Sequence, residues 1–350
     1  MKSVDYIVVG CGLASIAFCE QLRNANKTFL VFDDDSQKSS SVAAGLYNPV
    51  ILKRFTPVWM AKQQLELAMP YYHNLEKLLN TKLNYPISVR RKFLSVEEQN
   101  NWFAASDQPI LGNYIQPQVL KNLNSAISAP FGLGKVLHSG RINTKKLIAS
   151  YREFLNQKEQ LISKTFNYQK LIYDDRIITY ENFSCKYVVF AEGYNLKFNP
   201  YFENIPLVGL KGEMLIIESP ELKLDYILKS SVFIVPIEDD LYWVGATYER
   251  EDKTHNISDE AKEQLLNKLK TVVSCNFKIV SQVAGIRPTT KDRRPLVGRH
   301  SKFKNLFILN GMGTRGVMTS PYIAMQLFKH IELNEPLDGA INIKRFKIYK

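Results

Sequence analysis

The sequence is poor in the residues that build disulfide scaffolds and metal centres. It contains 4 cysteines and 5 histidines among 350 residues, with no CxxC pair and no HxxxH spacing. Scattered cysteines of this kind are typical of small buried thiols in a protein of a reducing compartment. We therefore expect no metal site and a cytoplasmic location.

Long hydrophobic runs are also missing. The longest apolar run near the start, residues 6–19, contains Gly10 and Gly12, and no basic leader beyond Lys2 precedes it. Since a membrane-spanning helix needs about 20 apolar residues, we interpret this run as protein core and expect no membrane contact. Internal repeats and low-complexity linkers are absent as well. The length of 350 residues predicts two domains or one large interrupted domain.

Acidic residues are outnumbered, and the formal net charge is +12. A solvated, lysine-rich surface accounts for such a balance, while attraction to a polyanion such as RNA is the alternative. The last residues, 344–350, are basic with interleaved aromatics. We interpret them as a solvated chain end and leave contact with RNA as the second hypothesis.

What the sequence does contain is clearest in its N-terminal segment. A buried strand over residues 5–9 leads into a glycine turn, an apolar helical run to Arg23, and a second strand over residues 28–32 that ends in Asp33. This order of strand, glycine turn, helix, strand and carboxylate predicts a dinucleotide-binding βαβ unit.

The single residues of this segment fit that prediction. Gly10 permits the tight turn, and Gly12 lets a pyrophosphate approach the backbone at the positive end of the helix. Ser15 stands where the fingerprint has its third glycine or alanine, and it is small enough for packing between helix and strand. Asp33 follows Gly10 by 23 residues, a spacing that suits an acceptor for a ribose hydroxyl.

Two later segments repeat the same logic. A short apolar strand over residues 185–190 is followed by Ala191 and Gly193, where a backbone can again approach a nucleotide. Near the end, a strand over residues 306–309 runs into a glycine-rich loop and then a helix over residues 317–331. The positive end of that helix suits a second electron-rich group, such as a flavin carbonyl.

The remaining elements separate into helices and a strand-rich middle region. We predict helices over residues 56–79 (interrupted at Pro70), 97–106, 144–157 and 258–273, strands over 87–96 and 277–285, and antiparallel sheet within 206–247.

Because nucleotide-type elements occur at both ends of the chain and near residue 190, we expect a discontinuous nucleotide domain into which a second domain is inserted. The predicted fold class is α/β (α+β overall), a Rossmann-type domain carrying an inserted antiparallel-sheet domain. The predicted segments are 1–52, 140–205 and 285–350 for the first domain, and 53–139 and 206–284 for the second, substrate-binding domain.

Three further segments resemble one known family. Residues 42–49, VAAGLYNP, resemble the flavin-contacting loop of D-amino acid oxidase, and residues 285–300 are similar to glycine oxidase. Residues 305–321, which include GMGTRG, resemble the carboxy-terminal flavin segment of the same superfamily. The GTRG piece is most similar to the oxidase domain that acts on carboxymethylaminomethyl uridine in tRNA.

The resemblance implies an FAD-binding domain of glutathione-reductase-like topology. Because Gly285 stands where members with covalent flavin carry a cysteine, it also implies a non-covalent cofactor. Together with the nucleotide-type turns, it gives the cofactor-binding residues as Gly10, Gly12, Leu13, Ala14, Asp33, Asp34, Ser39, Ser40, Ala44, Gly45, Leu46, Ala191, Gly193, Gly311, Met312, Gly313, Thr314, Gly316, Val317 and Met318.

For the substrate, the resemblance implies that Arg287 binds a carboxylate, a role that suits the planar fork of arginine. Phe233 stands where glycine-oxidase-like sequences place a tyrosine whose hydroxyl helps to hold that carboxylate. Arg315 and Arg54 are further candidate substrate contacts. The alternative for each arginine is a structural role in an ion pair or a solvent-exposed position without a ligand. The aromatics Phe233, Tyr242, Trp243 and Tyr248 are interpreted as sheet core rather than as a substrate cage.

The function implied is that of an FAD-dependent amine oxidase acting on glycine, an N-substituted glycine or another small amino acid. A hydride passes to the flavin, the imine hydrolyses, and oxygen becomes hydrogen peroxide, so no side-chain acid or base is required. One alternative is the oxidation of a carboxymethylaminomethyl uridine in tRNA. Another is a flavin-binding protein without oxidase activity. An NAD enzyme is disfavoured because it leaves the later segments unexplained.

Overall fold

The computed structural model describes residues 1–174 and 176–346. Its strands in chain order are β1 (Lys2–Val9), β2 (Phe29–Phe32), β3 (Leu46–Tyr47), β4 (Val50–Ile51), β5 (Thr56–Pro57), β6 (Asn84–Tyr85), β7 (Val89–Lys92), β8 (Ile115–Leu120), β9 (Leu133–Val136), β10 (Gly140–Ile142), β11 (Leu161–Ile162), β12 (Leu171–Tyr173), β13 (Ile178–Tyr180), β14 (Phe183–Phe190), β15 (Leu207–Glu218), β16 (Ile227–Lys229), β17 (Phe233–Pro236), β18 (Leu241–Gly245), β19 (Lys278–Thr290), β20 (Leu296–Arg299) and β21 (Leu306–Asn310). Its α-helices are α1 (Leu13–Asn24), α2 (Ala61–Leu79), α3 (Val96–Ser106), α4 (Thr144–Gln157), α5 (Asp259–Lys270) and α6 (Gly316–Glu332), and short 3₁₀ turns span Leu111–Asn113, Tyr168–Lys170, Gly193–Phe198 and Ile343–Arg345.

The first sheet is parallel at its centre. Its strands lie in the order β11, β2, β1, β14, and Val8 of β1 pairs with Val31 on one side and Val189 on the other. The amino half of β14 pairs with β13 and its carboxyl half pairs with β21. Tyr6 and Val8 pack in the same cluster as α1 and α6, whereas Ile7 and Val9 pack in another on the opposite face. Burial on both faces explains the continuous apolar run of β1.

The second sheet is largely antiparallel, in the order β19, β15, β18, β17, β16, β7, β9, β8, with a parallel pairing between β16 and β7. Leu265 and Leu269 of α5 cover one face, where they pack with Val244 and its neighbours. Phe233 pairs with Gly245, and Gly245 pairs with Met214, so these positions share the opposite face. That uncovered face forms one wall of the site described below.

The predicted fold class is confirmed, since a parallel nucleotide-type sheet and a mostly antiparallel sheet are both present. Strands β7 to β9 lie beside strands from β15 to β19, so the two predicted segments of the inserted domain share one sheet. We propose that the two sheets mark two domains with the boundaries given above. Strand β19 runs past the proposed boundary at residue 285, and β10 joins β3 and β6 in a separate small sheet.

Helix α2 differs from its prediction. The structure begins it at Ala61, places β5 before it, and continues it through Pro70 without the predicted interruption. Proline removes one main-chain donor from a helix, but tertiary packing outweighs that loss here. Tyr72 is buried and its hydroxyl donates to the Val317 carbonyl of α6 at 2.9 Å, which holds α2 against the neighbouring helix.

Two predicted strands have other bounds in the structure: the strand predicted over 87–96 is β7, Val89–Lys92, with Val96 opening α3, and the strand predicted over 277–285 is β19, which continues to Thr290. Helix α4 spans Thr144–Gln157 as predicted, and the Asn143 side chain caps it by accepting from the Lys146 amide. Of the basic tail, residues 347–350 lie outside the described residues, while Arg345 pairs with Asp292 at 2.7 Å. No helix within 1–174 and 176–346 is both long and apolar enough to cross a bilayer.

Candidate active site

A cleft of about 440 Å³ opens where the parallel strands of the first sheet end. Its lining includes one residue at or just beyond the carboxyl end of each of β1, β2, β14 and β21, namely Gly10, Asp33, Ala191 and Asn310. The uncovered face of the second sheet forms the opposite wall. Ligands of open α/β sheets bind at this edge of the strands. The position of the cleft is therefore the one that the topology favours.

The turn between β1 and α1 requires glycine at its first position. Gly10 has φ +99°, and a Cβ placed there lies 2.6 Å from the carbonyl oxygen of Ala191. At Gly12 the nearest atom to such a Cβ is Ser40 Oγ at 3.5 Å, so space remains on the cleft side. No side chain caps α1, which leaves its first amides available to the cleft. A phosphate group fits this cradle.

Asp33 is held in place at the end of β2. The Cys11 amide donates to Oδ1 at 3.0 Å, and the Arg152 guanidinium of α4 donates to Oδ2. Burial raises the pKa of Asp33, while the charge of Arg152 opposes that rise. The arrangement presents a fixed carboxylate to the cleft, as an acceptor for hydroxyl groups requires.

The loop before α6 lies against the same cleft. Asn310 donates from Nδ2 to the Gly193 carbonyl at 2.9 Å, which ties the end of β21 to the turn after β14. The Gly313 amide donates to the Pro288 carbonyl at 2.9 Å. The first residues of α6, Gly316 and Val317, line the cleft, so the positive end of this helix faces it. No side chain caps this end of the helix.

Arg287 of β19 lies at the end of the cleft that the second sheet forms. Its guanidinium packs directly against Gly212, where a Cβ would lie 2.2 Å from Nη1 and Nη2, so only glycine leaves room for it. The Nη1 atom is buried and has no hydrogen-bond partner among the described residues. Burial lowers the pKa of Arg287, and the ring of Tyr248 lies 5.2 Å from its Cζ. A buried fork with free donors suits a carboxylate ligand.

The structure brings most of the sequence-predicted residues to the cleft. Its lining includes Gly10, Gly12, Leu13, Ala14, Asp33, Asp34, Ser39, Ser40, Ala44, Gly45, Leu46, Ala191, Gly193, Phe233, Arg287, Met312, Gly313, Thr314, Gly316 and Val317.

Four predicted residues do not line it. Arg54 is exposed in the turn between β4 and β5, and Arg315 occupies the N-cap position of α6. Met318 is buried in the core of α6. Gly311 forms the turn after β21 with φ +75°. The roles predicted for these four residues stay predictions.

Several lining residues were not predicted. Thr165, Phe166 and Tyr168 follow β11, a strand of 2 residues that is too short for a periodicity signal. Knowledge that β11 pairs in parallel with β2 would have predicted their position at the cleft, because the carboxyl ends of parallel strands lie at the same edge of a sheet. The prediction that Tyr248 belongs to the sheet core is wrong, since it is 67% exposed and lines the cleft.

Glu192, between the two predicted residues Ala191 and Gly193, is a buried carboxyl group beside the cleft. The Tyr168 hydroxyl donates to one oxygen at 2.5 Å and Asn199 Nδ2 donates to the other at 2.8 Å. Burial raises the pKa of Glu192 to about 7. Within the described part of the chain, no group of three or more His, Cys, Asp and Glu side chains is arranged to hold a metal ion.

Comparison with known proteins points to one family. A family model described as DAO, FAD dependent oxidoreductase, matches residues 5–329. The tRNA 5-methylaminomethyl-2-thiouridine biosynthesis bifunctional protein MnmC of Idiomarina loihiensis is 20% identical in a gapped alignment 374 residues long, which covers 98% of this chain and 59% of that protein. Glycine oxidase of Bacillus subtilis is 28% identical over 148 residues, which cover 41% of this chain and 40% of that protein. The chain thus matches less than two thirds of either relative.

Solved structures share the fold. Glycine oxidase from Geobacillus kaustophilus superposes with a TM-score of 0.79 at 18% identity, over 97% of this chain and 98% of that one. L-α-glycerophosphate oxidase from Mycoplasma pneumoniae, a structure with FAD bound, superposes with a TM-score of 0.73 at 18% identity, over 98% and 99% of the two chains.

Proposed function

The chain belongs to the DAO family of FAD-dependent oxidoreductases, and from this premise we propose that it is an amine oxidase for a small substrate bearing a carboxylate. The substrates that fit best are glycine, an N-substituted glycine or another small amino acid. The observation that carries the proposal is the buried Arg287 fork. Its Nη1 has no hydrogen-bond partner within residues 1–174 and 176–346, and Arg287 lines the same cleft as the start of α6.

The cleft fits FAD at both ends. The amides at the start of α1 would hold the pyrophosphate, and Asp33 would accept from the adenosine ribose. The flavin ring would lie along Met312–Thr314, Gly316 and Val317, at the positive end of α6. The chemistry that the cofactor supplies is the two-electron oxidation of the C–N bond to an imine, which water hydrolyses, with oxygen as the acceptor and hydrogen peroxide as the product.

The part of the protein in this reaction is to bind, orient and exclude water. Arg287 would take both carboxylate oxygens in parallel charge-assisted hydrogen bonds, which fixes the adjacent carbon. Met214, Phe233 and Trp243 line the cleft as an apolar wall and limit water near the reacting bond. We assign no lining residue the role of general acid or base, because the bound cofactor would itself accept the hydride.

An anaerobic mixing experiment tests this proposal. The FAD-loaded protein is mixed with glycine, N-methylglycine, small D- and L-amino acids, and glycinamide as the matched compound without a carboxylate. We expect the oxidised flavin bands to bleach with at least one carboxylate-bearing amine and to persist with glycinamide. Bleaching by glycinamide at an equal rate contradicts the role of Arg287. Persistence with every amine overturns the proposal of a free amino-acid substrate and leaves a tRNA-borne amine or a flavin-binding protein without oxidase activity.

A second candidate is the oxidation of an amine carried by tRNA. Two observations favour it: the match to the tRNA-modifying relative covers 98% of this chain, and the net charge is +12. Binding to a polyanion releases counterions, so the affinity falls steeply as salt rises. If the substrate is borne by RNA, kcat/KM for tRNA drops several-fold between low and physiological salt. A flat salt response, with turnover of free amino acids, excludes this candidate.

A further inference from the structure

The Asp33 carboxylate accepts hydrogen bonds from three donors of the protein. The Cys11 amide donates to Oδ1 at 3.0 Å, the Asp35 amide donates to Oδ2 at 3.2 Å, and the Arg152 guanidinium of α4 donates to the same Oδ2. An ionised carboxylate offers about four lone pairs. Because three of them are occupied, one remains for a hydroxyl group of a ligand in the cleft.

The ion pair between Asp33 and Arg152 is largely shielded from water, since the two side chains are 12% and 19% exposed. A carboxylate in such surroundings stays ionised only beside a cation, because taking a charge out of water is costly. Burial raises the pKa of Asp33, and the charge of Arg152 opposes that rise. In the described part of the chain, Arg152 is the one cation that pairs with Asp33.

The other charged groups around Asp33 do not replace this cation. Lys164, which follows β11, lines the same cleft, but its ammonium group pairs with Glu181 at 2.7 Å. The other ionisable side chains that line the cleft where Asp33 lies carry no positive charge, namely Cys11 after β1, Asp34 and Asp35 after β2, Tyr168 after β11 and Glu192 after β14. The ionised state of Asp33 therefore depends on Arg152.

Helix α4 places Arg152 behind Asp33 rather than in the cleft. The neighbouring Tyr151 is buried, and its hydroxyl donates to Glu20 of α1 at 2.9 Å, which fixes this part of the helix. Ile148 of the same helix lines the cleft, whereas Arg152 does not. Arg152 can thus act on a bound ligand through the carboxylate that it holds.

We propose that Arg152 is a positioning residue for FAD, which keeps the Asp33 carboxylate ionised and oriented for the adenosine ribose. If Asp33 took up a proton, that proton would occupy the lone pair that remains for the ribose hydroxyl. The inference rests on the cofactor placement in the proposed function, and it extends this placement from the cleft wall to the helix behind it.

The test measures FAD binding as a function of pH, so that it does not depend on turnover. FAD is titrated into the apoprotein, and its Kd is read from fluorescence quenching. In Arg152→Met the cation is lost, so we expect Asp33 to take up a proton as the pH falls from about 8 to about 6. The ratio of the variant Kd to that of the unmodified protein is then expected to rise about tenfold over this range, since a hydrogen bond to a charged group contributes about 1.5 kcal/mol.

The ratio is the quantity compared because Glu192, whose pKa is about 7, titrates in both proteins. Arg152→Gln keeps a donor for Oδ2 without the charge, and we expect the same pH dependence from this milder replacement. Arg152→Lys keeps the charge, so its ratio is expected to stay constant with pH.

Two further variants serve as matched controls. Lys145→Met removes an exposed cation from the same helix, and we expect its Kd to equal that of the unmodified protein at every pH. Asp33→Asn has no carboxyl group to titrate, so Arg152→Met made in that background is expected to add no pH dependence. FMN, which lacks the adenosine, is expected to bind Arg152→Met and the unmodified protein with the same Kd ratio at every pH.

The outcomes distinguish this inference from the proposals on which it rests. If Asp33→Asn weakens FAD binding but the ratio for Arg152→Met and Arg152→Gln is constant with pH, the role of Arg152 is overturned and the cofactor placement stands. A loss of FAD affinity that is equal at every pH shows direct contact or packing, and also overturns the inference. If Asp33→Asn leaves the FAD Kd unchanged, the ribose contact and the role of Arg152 fall together, while bleaching of the flavin by amines still decides the oxidase proposal.

Discussion

The ring centroid of Tyr248 lies 5.2 Å from Cζ of Arg287, and both side chains line the cleft. The buried Nη1 of Arg287 has no partner among the described residues. Leaving a buried donor unsatisfied costs about 1–3 kcal/mol, and more when it is charged. A ligand carboxylate relieves that cost, so the geometry favours binding of an anion at this point.

Replacement of this arginine by lysine tests the substrate end of the cleft. Arg287→Lys keeps the charge and loses the fork, so we expect KM for carboxylate-bearing amines to rise about 10- to 100-fold, in line with about 1.5–3 kcal/mol for charged hydrogen bonds. Flavin content is expected to stay constant. Arg54→Lys, at an exposed position, is the control with no change. Unaltered steady-state kinetics in Arg287→Lys would remove this residue from the site.

A second prediction concerns the ribose contact. We expect Asp33→Ala to raise the Kd of the apoprotein for FAD about tenfold or more, because the charge-assisted acceptor is lost. Binding of FMN, which lacks the adenosine ribose, is the matched control and is expected to change much less. Fluorescence quenching on titration gives both constants. Full FAD occupancy of Asp33→Ala after purification contradicts the ribose role.

Two glycines of the first turn are expected to respond differently to alanine. At Gly10 the new Cβ meets the Ala191 carbonyl oxygen at 2.6 Å in a backbone of φ +99°, so Gly10→Ala is expected to lower the free energy of unfolding by at least about 2 kcal/mol. Gly12→Ala meets only Ser40 Oγ, at 3.5 Å. We expect it to lose about 1 kcal/mol or less of stability but to bind FAD much more weakly.

Thermal unfolding of the apoproteins and FAD titration provide the two measurements. A loss of stability in Gly10→Ala reports the backbone conformation that the turn requires. A loss of FAD affinity in Gly12→Ala reports the open space that the pyrophosphate requires. If Gly12→Ala binds FAD as tightly as the unmodified protein, the pyrophosphate does not approach the start of α1.

A fourth prediction follows from the buried carboxyl of Glu192. Burial raises its pKa from 4.5 in the unfolded chain to about 7 in the folded protein, so between these values the folded state binds more protons. Its contribution to stability is therefore fully present below about pH 4.5 and is lost as the pH rises through 7. In the unmodified protein, the free energy of unfolding should therefore fall by on the order of 3 kcal/mol as the pH rises through this range, and we expect Glu192→Gln to abolish this fall. The Tyr168 hydroxyl can reverse its direction to accept from the new amide.

Denaturant unfolding of the apoprotein at a series of pH values measures this effect. Glu203→Gln, at an exposed position, is the control that keeps the pH dependence of the unmodified protein. Parallel stability curves for Glu192→Gln and the unmodified protein contradict the account.

The cofactor end of the site is the part that sequence reasoning recovers best. Gly10, Gly12 and Asp33 belong to one continuous segment in which local rules of turn, helix start and strand end apply together. Arg287 and Phe233 were reached through the family resemblance, and the structure places both in the cleft.

The residues that were missed depend on tertiary pairing. Thr165 and Tyr168 reach the cleft because the 2-residue strand β11 pairs with β2, and no local pattern reveals such a contact. The apolar pattern predicts that Tyr248 belongs to a strand, yet strand β18 ends at Gly245 and the Tyr248 ring is exposed outside the sheet. Helix α2 passes through Pro70 because packing against α6 outweighs propensity.

The visible spectrum of the purified protein, followed by acid precipitation, tests the central claim most directly. The account predicts the absorption bands of oxidised flavin, and intact FAD in the supernatant after the protein is precipitated, since Gly285 offers no side chain for a covalent bond. A colourless protein that takes up no FAD from solution, or flavin that precipitates together with the polypeptide, would contradict it.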